Sequence, residues 1–262
     1  MHLLNVNTFE LEEFIGEQVK EIQYAILSHT WEGKEVSFQD IQRPDAIRNL
    51  EHPPIPAWSK VKNACAQARS DGYRYIWIDT CCIDKSSSAE LQEAINSMFN
   101  WYLGSKSCYA FLSDVPPGAD SIATSRWFTR GWTLQELFAP NIVLFFNSAW
   151  TAIGTRGDKH IVESISKSKT TRIEKQFLFK RNEYTMPTDV REFFKYVPVA
   201  QKMAWASGRQ TTRIEDRAYS LLGLFDINMP LLYGEGDKAF QRLQHEIMRK
   251  SDDCTILAWS HG

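Results

Sequence analysis

Three side chains that could do chemistry follow a short apolar run at residues 75–78. Asp79 and Cys82 come directly after the run, and Glu90 lies in the first turn of the amphipathic helix that is predicted to begin near Ser87. Open α/β sheets hold their sites at the carboxyl ends of strands, next to the helix that follows. A carboxylate in that place could stabilise an oxocarbenium-like transition state, as in glycoside hydrolysis. We therefore take Glu90 as the candidate catalytic residue.

The register of that helix decides which face Glu90 occupies. One apolar stripe runs along it at three- and four-residue spacing and contains Leu91, Ile95, Met98 and Tyr102. Glu90 lies on the flank of the stripe, whereas Glu93 lies nearly opposite and is predicted to face solvent. Ser87 and Glu90 also have the spacing of a capping box, in which the glutamate bonds back to the cap amide. Spacing alone favours the cap, because capping boxes are commoner than catalytic glutamates.

The elements around this segment alternate between strands and helices. Apolar runs predict strands at residues 24–28, 75–78, 108–112 and 142–146, and a weaker one at 3–6. Helical patterns at 58–70, 87–102 and 130–137 separate them. The alternation implies right-handed crossovers, so the predicted fold class is α/β with a parallel sheet flanked by helices.

Two regions divide the chain. Residues 1–150 are predicted to form the α/β core, with a proline-rich surface insertion at about 32–57. Residues 151–262 are predicted to be a mostly helical extension packed on the same domain. Its helices are expected at 189–206, 213–225 and 237–250, with a last strand at 255–259. Thr212 and Glu215 have capping-box spacing at the start of the second helix.

Composition limits the partners. The chain has 262 residues, of which 43% are hydrophobic and 24% charged, and its formal net charge of -2 disfavours nucleic acid and anionic lipid. Its five cysteines are scattered without metal-ligand spacing, so no metal site is expected. The N-terminus lacks a signal-peptide pattern, and no apolar run approaches membrane-spanning length. We expect a cytoplasmic protein with reduced thiols and no membrane span.

Three separated blocks of the sequence resemble the fungal heterokaryon-incompatibility (HET) domain. They are YAILSHTW at residues 24–31, WIDTCCIDKSSSAELQEAINSM at 77–98 and RGWTLQE at 130–136. Their order and spacing carry the resemblance over residues 24–137. The later segment 213–247 resembles what often follows this domain in HET proteins that have a C-terminal nucleotide-binding oligomerisation module and repeats. The resemblance thus implies a longer parent protein.

The resemblance also implies a function. HET domains are the effectors of allorecognition and trigger programmed death of fused cells of unlike genotype. The family is considered distantly similar to Toll/interleukin-1 receptor (TIR) domains, which implies a TIR-like (flavodoxin-like) sheet. Some TIR domains hydrolyse NAD to nicotinamide and ADP-ribose with a glutamate in the helix after a parallel strand, and Glu90 occupies the corresponding kind of position. We therefore expect NAD as a substrate, no bound cofactor, and activation by self-association.

Seven further residues are candidates for binding that substrate: Ser28, His29, Trp31, Asp79, Cys82, Arg130 and Trp132. Ser28 ends a predicted strand and His29 follows it directly, so both could line the pocket. The alternative for His29 is a packing or turn role. Trp31 could stack on a base or pack in the core.

The remaining candidates have alternative roles as well. Asp79 could bind ribose or cap a turn, and Cys82 is more typical of a small buried apolar residue than of a nucleophile. Arg130 could take a pyrophosphate, because guanidinium matches phosphate bidentately. It could instead form an internal salt bridge with Glu136 or Asp79, and this is the role that we favour for Glu136.

A non-enzymatic role is the main alternative. The domain would then be a signalling and oligomerisation module that recruits a death effector, and Glu90 would only cap its helix. A nucleotide-processing enzyme that acts on another substrate through the same pocket is a third hypothesis. Glu90→Gln tests the first two, because it keeps most of the capping geometry and removes the charge.

Overall fold

The computed structural model describes residues 1–43, 45, 54–168, 172–178 and 190–258. The strands in these ranges are β1 (His2–Asn5), β2 (Leu11–Glu13), β3 (Tyr24–His29), β4 (Tyr75–Ile78), β5 (Ser107–Phe111), β6 (Val143–Phe146) and β7 (Ala152–Thr155). The α-helices are α1 (Gln18–Glu21), α2 (Phe38–Ile41), α3 (Pro56–Ser70), α4 (Ser88–Gly104), α5 (Thr133–Phe138), α6 (Lys159–Lys167), α7 (Val190–Lys195), α8 (Val199–Ser207), α9 (Asp216–Tyr219) and α10 (Lys238–Lys250). Short 3-10 helices lie at Arg126–Thr129, Lys175–Phe177, Leu222–Leu224 and Cys254–Ala258.

The strands form one mixed sheet in the order β2-β1-β4-β3-β5-β6-β7. The central strands β4, β3, β5 and β6 are parallel, whereas β1 and β7 run antiparallel to their neighbours. The predicted parallel sheet is therefore confirmed for the centre and wrong for both edges. β2 and β7 were not predicted from the sequence, because they are short and lack a continuous apolar run.

The central strands are buried on both faces. All six residues of β3 and all five of β5 are buried. Strands that are covered on both faces by helices have continuous apolar sequences, and for this reason these strands could be predicted from the sequence. Helix α3 packs against β3 and β4, and α5 packs against β3. The predicted start of α4 is also confirmed, since Ser87 is its N-cap.

The C-terminal half packs against the same core. Phe138 of α5 stacks on Trp205 of α8 with ring centroids 4.9 Å apart. The 3-10 helix at 222–224 lies against α4, and Gly223 there is in close contact with Phe99. The predicted helix at 237–250 is confirmed by α10.

Two other predicted helices are broken. Residues 190–207 form α7 and α8 rather than one helix, because Pro198 precedes α8 and cannot donate the amide hydrogen bond that a continuous helix needs; residue 189 lies outside the described residues. Residues 213–225 form only α9 and a 3-10 turn. The third block likewise begins its α-helix at Thr133 rather than at Arg130, which is extended.

Two further predictions need correction. Residues 255–258 form a 3-10 helix instead of the last strand, and residue 259 lies outside the described residues. The proline-rich insertion is not purely a surface excursion, because Val36 and Ile41 join the core and a capping box of Ser37 and Asp40 begins α2; its residues 44 and 46–53 lie outside the described ranges.

The described part of the chain contains no helix with both the length and the apolar character needed to cross a membrane. Within the same ranges, no three His, Cys, Asp or Glu side chains are grouped as metal ligands.

Candidate active site

A cavity of about 480 Å³ opens at the carboxyl ends of β3 and β4. Its walls come from four parts of the chain: the loops after these strands (Thr30, Trp31, Asp79), α4 (Leu91, Ile95, Met98), the third block (Arg130, Trp132, Glu136) and the C-terminal half (Gln210–Arg213, Asp216, Tyr233). Open α/β sheets bind ligands outside the carboxyl ends of their strands. The three blocks thus meet at one cavity, which we call the sheet-edge cavity.

Glu136 is the most deeply placed carboxylate of this cavity. It lies on α5, is only 6% exposed, and accepts hydrogen bonds from Ser28 and Tyr102. Burial raises the pKa of Glu136 to about 7, although the charge of Arg130 and the two hydrogen bonds partly oppose this rise. Glu136 can therefore exist in both protonation states near neutral pH.

Ser28, on β3, holds the Glu136 carboxylate in position through a hydrogen bond. The Ser28 side chain is fully buried in β3, and its hydroxyl donates to the Glu136 carboxylate. The indole Nε1 of Trp127 donates to the same hydroxyl at 2.7 Å, which leaves the hydroxyl proton free to point at Glu136. The predicted site residue Ser28 thus contacts the carboxylate rather than the cavity.

Arg130 presents its charge to the cavity. Its Nη1 donates to the carbonyl oxygen of His29 at 2.9 Å, and its guanidinium lies 4.8 Å from the ring centroid of Trp31. The predicted internal salt bridge with Glu136 or Asp79 is not formed among the described residues, and Arg130 influences Glu136 only through its charge. Arg130 therefore remains available to bind an anion.

Two cations lie over the Trp31 indole at the cavity mouth. The Lys85 ammonium is 4.1 Å from one ring centroid of the indole, and the Arg130 guanidinium also lies over this indole. Its Nε1 donates to Asp79 Oδ2 at 2.9 Å, and the side chain is 46% exposed. Asp79 thus fixes an aromatic ring over which two cations lie.

His29 lies beneath the cavity instead of lining it. Its side chain is fully buried, and neither ring nitrogen has a hydrogen-bond partner. Burial and the charges of Lys60, Arg130 and Lys85 hold the pKa of His29 well below its usual range, so the ring is neutral. Carboxylate oxygens of Asp79 and Glu35 lie 3.8 Å and 3.9 Å from Nε2. His29 contributes its backbone carbonyl, which holds Arg130.

The C-terminal half supplies the opposite wall. Asp216 accepts hydrogen bonds from the Tyr233 hydroxyl at 2.9 Å and from Trp132. Burial raises the pKa of Asp216 and outweighs these two bonds. The Arg213 guanidinium lies 4.4 Å from the Tyr233 ring centroid. Sequence reasoning missed Asp216 and Tyr233, although the resemblance of segment 213–247 to HET proteins marked the region that contains them.

Backbone contacts hold this wall against the third block. The amide of Gly131 donates to the carbonyl of Gln210 at 2.8 Å, and the amide of Gln210 donates to the carbonyl of Thr129. Arg209 is buried and donates to the carbonyl of Arg130 and to the Thr133 hydroxyl. The predicted capping role of Glu215 is replaced by another contact, because its carboxylate accepts from the amides of Gly234 and Gly236.

Glu90 and Cys82 lie outside the cavity lining. The Glu90 carboxylate accepts from the Asp84 amide at 2.9 Å and lies 3.1 Å from His2 Nδ1. Ser87 accepts from the Glu90 amide at 3.3 Å, so half of the predicted capping box is present. Cys82 is buried and accepts from the Ile78 amide at 3.3 Å. Catalysis by Glu90 stays a prediction, and its position does not favour it.

Comparison with known proteins places the chain in a family. Residues 24–117 match the family model described as heterokaryon incompatibility protein (HET). The chain is 41% identical over 245 residues to the Vegetative incompatibility protein HET-E-1 of Podospora anserina, in an alignment that covers 88% of this chain and 16% of that protein. No solved structure matches the chain. The matched residues contain the first two of the three blocks that build the cavity. This segment of the chain belongs to the heterokaryon incompatibility (HET) family.

Proposed function

We propose that this chain is the effector domain of vegetative incompatibility and triggers programmed cell death by hydrolysing NAD. The observation that carries the catalytic part is the buried Glu136 carboxylate, which faces a cavity that also presents Arg130 and Trp132. The volume of about 480 Å³ falls within the range of small-molecule sites. The incompatibility role rests on the HET match and on the similarity to the vegetative incompatibility protein of Podospora anserina.

The reaction needs one well-placed carboxylate. NAD and water give ADP-ribose, nicotinamide and a proton: the bond between the ribose C1′ and the nicotinamide nitrogen breaks, and water adds at C1′. The electron pair leaves with nicotinamide, which departs as a neutral base and needs no general acid. The ionised Glu136 carboxylate would stabilise the positive charge that develops on the ribose, as carboxylates do in glycosidases. Water that adds at C1′ loses its proton to this carboxylate or to solvent.

The other cavity side chains match the remaining parts of a dinucleotide. Arg130 and Lys85 supply positive charge for the pyrophosphate, and Arg213 lies on the opposite wall. The Trp31 and Trp132 rings offer faces for base stacking. Carboxylates accept hydrogen bonds from ribose hydroxyls, and Asp79, which follows β4 and lines the cavity, would bind the ribose in this way.

Self-association would control this activity. The chain spans 16% of the length of its curated relative, which supports a longer parent protein. In that parent, a nucleotide-binding oligomerisation module would bring copies of this domain together in the cytoplasm. Proximity would then order the loops around the sheet-edge cavity.

The direct test is nicotinamide release by the purified chain, alone and fused to an oligomeric carrier. We expect slow release by the free chain and faster release per domain when the copies are clustered. No release from either form would overturn the enzymatic proposal and favour the non-enzymatic signalling module. Equal release per domain in both forms would contradict activation by self-association only.

A pH profile tests the protonation state that the mechanism requires. Nicotinamide release should rise with pH through about 7, because burial raises the pKa of Glu136 to about 7 and the ionised form is the active one.

The free energy of unfolding should change in the opposite direction and fall as the pH rises. The folded pKa of Glu136 lies above the ordinary glutamate value of 4.5, so the contribution of this group to stability is complete below that value and is lost as the pH rises through about 7. Initial rates and thermal unfolding over the same pH series measure both; a rate that falls through this range would contradict the assignment.

A further inference from the structure

A second cavity lies in the C-terminal half, away from the β3 and β4 strand ends. It has a volume of about 410 Å³ and lies among the end of α7, the start of α8, the 3-10 helix at 222–224 and the end of α10. Its apolar lining includes Phe194, Val199, Leu224, Phe225 and Ile247. We call it the Lys202 cavity, because the ammonium of Lys202 is its most deeply buried charge.

Lys202 is an unusual residue for such a position. It is 7% exposed, and its Nζ donates to the carbonyls of Phe194 at 3.1 Å and Leu224 at 3.4 Å. The rings of Phe194 and Phe225 lie 5.7 Å and 4.8 Å from the ammonium. Burial lowers the pKa of Lys202 to about 8, so at neutral pH the group is mostly charged.

No carboxylate forms a salt bridge with that ammonium among the described residues, although the charge of Asp253 raises the pKa of Lys202 and partly offsets the effect of burial. The acids that line the cavity are engaged elsewhere: Glu192 pairs with Lys195 at 2.6 Å, Asp226 pairs with Lys250, and Asp253 accepts from the Val199 amide at 2.7 Å. A buried ammonium without a direct ion pair is costly for a folded protein. An anion that entered the cavity would therefore gain a strong and specific interaction.

The walls restrict which anions would fit. Six apolar side chains line the cavity, and the rings of Phe194 and Phe225 lie beside the ammonium, so a fully hydrated anion such as inorganic phosphate would lose its water without gaining enough contacts. An acid with an aliphatic body would instead bury that body against the rings and aliphatic side chains while its head group meets Lys202. We propose that the Lys202 cavity is a binding site for an organic carboxylate with an apolar body.

Calorimetric titration of the full chain with sodium decanoate tests the proposal, with inorganic phosphate as the second ligand. We expect decanoate to bind and phosphate not to bind. Lys202→Met removes the charge and keeps the aliphatic length, so it should weaken decanoate binding about ten-fold or more. Lys238→Met, which changes an exposed lysine on α10, is the matched control and should leave the affinity unchanged.

A second measurement needs no variant and therefore does not depend on how Lys202→Met folds. Reductive methylation of the parent chain, followed by mass spectrometry, reports the reactivity of each lysine. Decanoate should slow methylation of Lys202 and leave Lys238 unaffected. The proposal would be overturned if decanoate did not bind, if Lys202→Met bound it equally well, or if it bound without protecting Lys202. Stronger binding of phosphate than of decanoate would also overturn it, because the ligand would then be an inorganic anion and not an organic carboxylate.

Discussion

Replacing Glu136 with glutamine should lower nicotinamide release by about 10²-fold or more, because the substitution keeps the shape of the side chain and removes the charge that stabilises the transition state. NAD binding should change little, since the other cavity side chains are untouched. The variant should also be no less stable than the parent at alkaline pH, because a buried carboxylate with a raised pKa opposes folding once it is ionised. Nicotinamide release, calorimetric NAD binding and urea unfolding measure these three properties.

Glu90→Gln is the matched control for this experiment and tests the other glutamate directly. Glutamine at this position can still accept from the Asp84 amide, so the helix start should persist and the rate should stay close to that of the parent. The opposite result, with Glu90→Gln inactive and Glu136→Gln active, would return the catalytic role to Glu90. Loss of activity in both variants with intact NAD binding would mean that the carboxylates act together.

Replacing Gly223 with alanine should lower the free energy of unfolding by about 1–3 kcal/mol, as overpacking of a core does. A Cβ atom at this position would lie 2.2 Å from Cβ of Phe99 and 2.4 Å from its Cγ. Phe99 is 3% exposed in the middle of α4, so it has little room to move away. Either α4 or the 3-10 helix at 222–224 must shift, and urea denaturation of the purified variant measures the cost.

Gly104→Ala serves as the comparison, because Gly104 ends the same helix α4. There the nearest heavy atom to an added Cβ is the Tyr24 hydroxyl at 3.3 Å, and alanine favours a helix by about 0.5–1 kcal/mol over glycine. We expect the free energy of unfolding to change by less than about 1 kcal/mol. Equal effects of the two substitutions would show that the close packing between Gly223 and Phe99 is not a determinant of stability.

The central sheet could be predicted from the sequence because its signal is local. Each parallel strand is a continuous apolar run, such as Tyr75–Ile78, and the caps and glycines near it mark where helices begin and end. The edge strands could not be predicted in this way. β7 contains the residues AIGT, which have no alternation of their own, and it is a strand only because β6 offers an open edge.

The candidate site shows the same division between local and tertiary information. Glu90 attracted the catalytic prediction because its signal is local: a strand, a turn and the first turn of a helix. From the sequence, Glu136 is interpreted as the salt-bridge partner of Arg130. Its burial arises only when α5 packs against β3 and Glu136 contacts Ser28. No spacing in the sequence reports that contact. Asp216 also reaches the cavity through tertiary contacts between the third block and residue 210.

The edge strand β2 limits how copies of the sheet can join. β2 carries Glu12 and Glu13 at the end of the seven-stranded order, next to the exposed Glu10. Hydrogen bonds from Asn5 and Tyr75 lower the pKa of Glu12, so it stays ionised at neutral pH. A second copy paired along this edge would bring like charges together, which is how natural sheets avoid edge-to-edge aggregation. Fibril growth from β2 is therefore disfavoured at neutral pH.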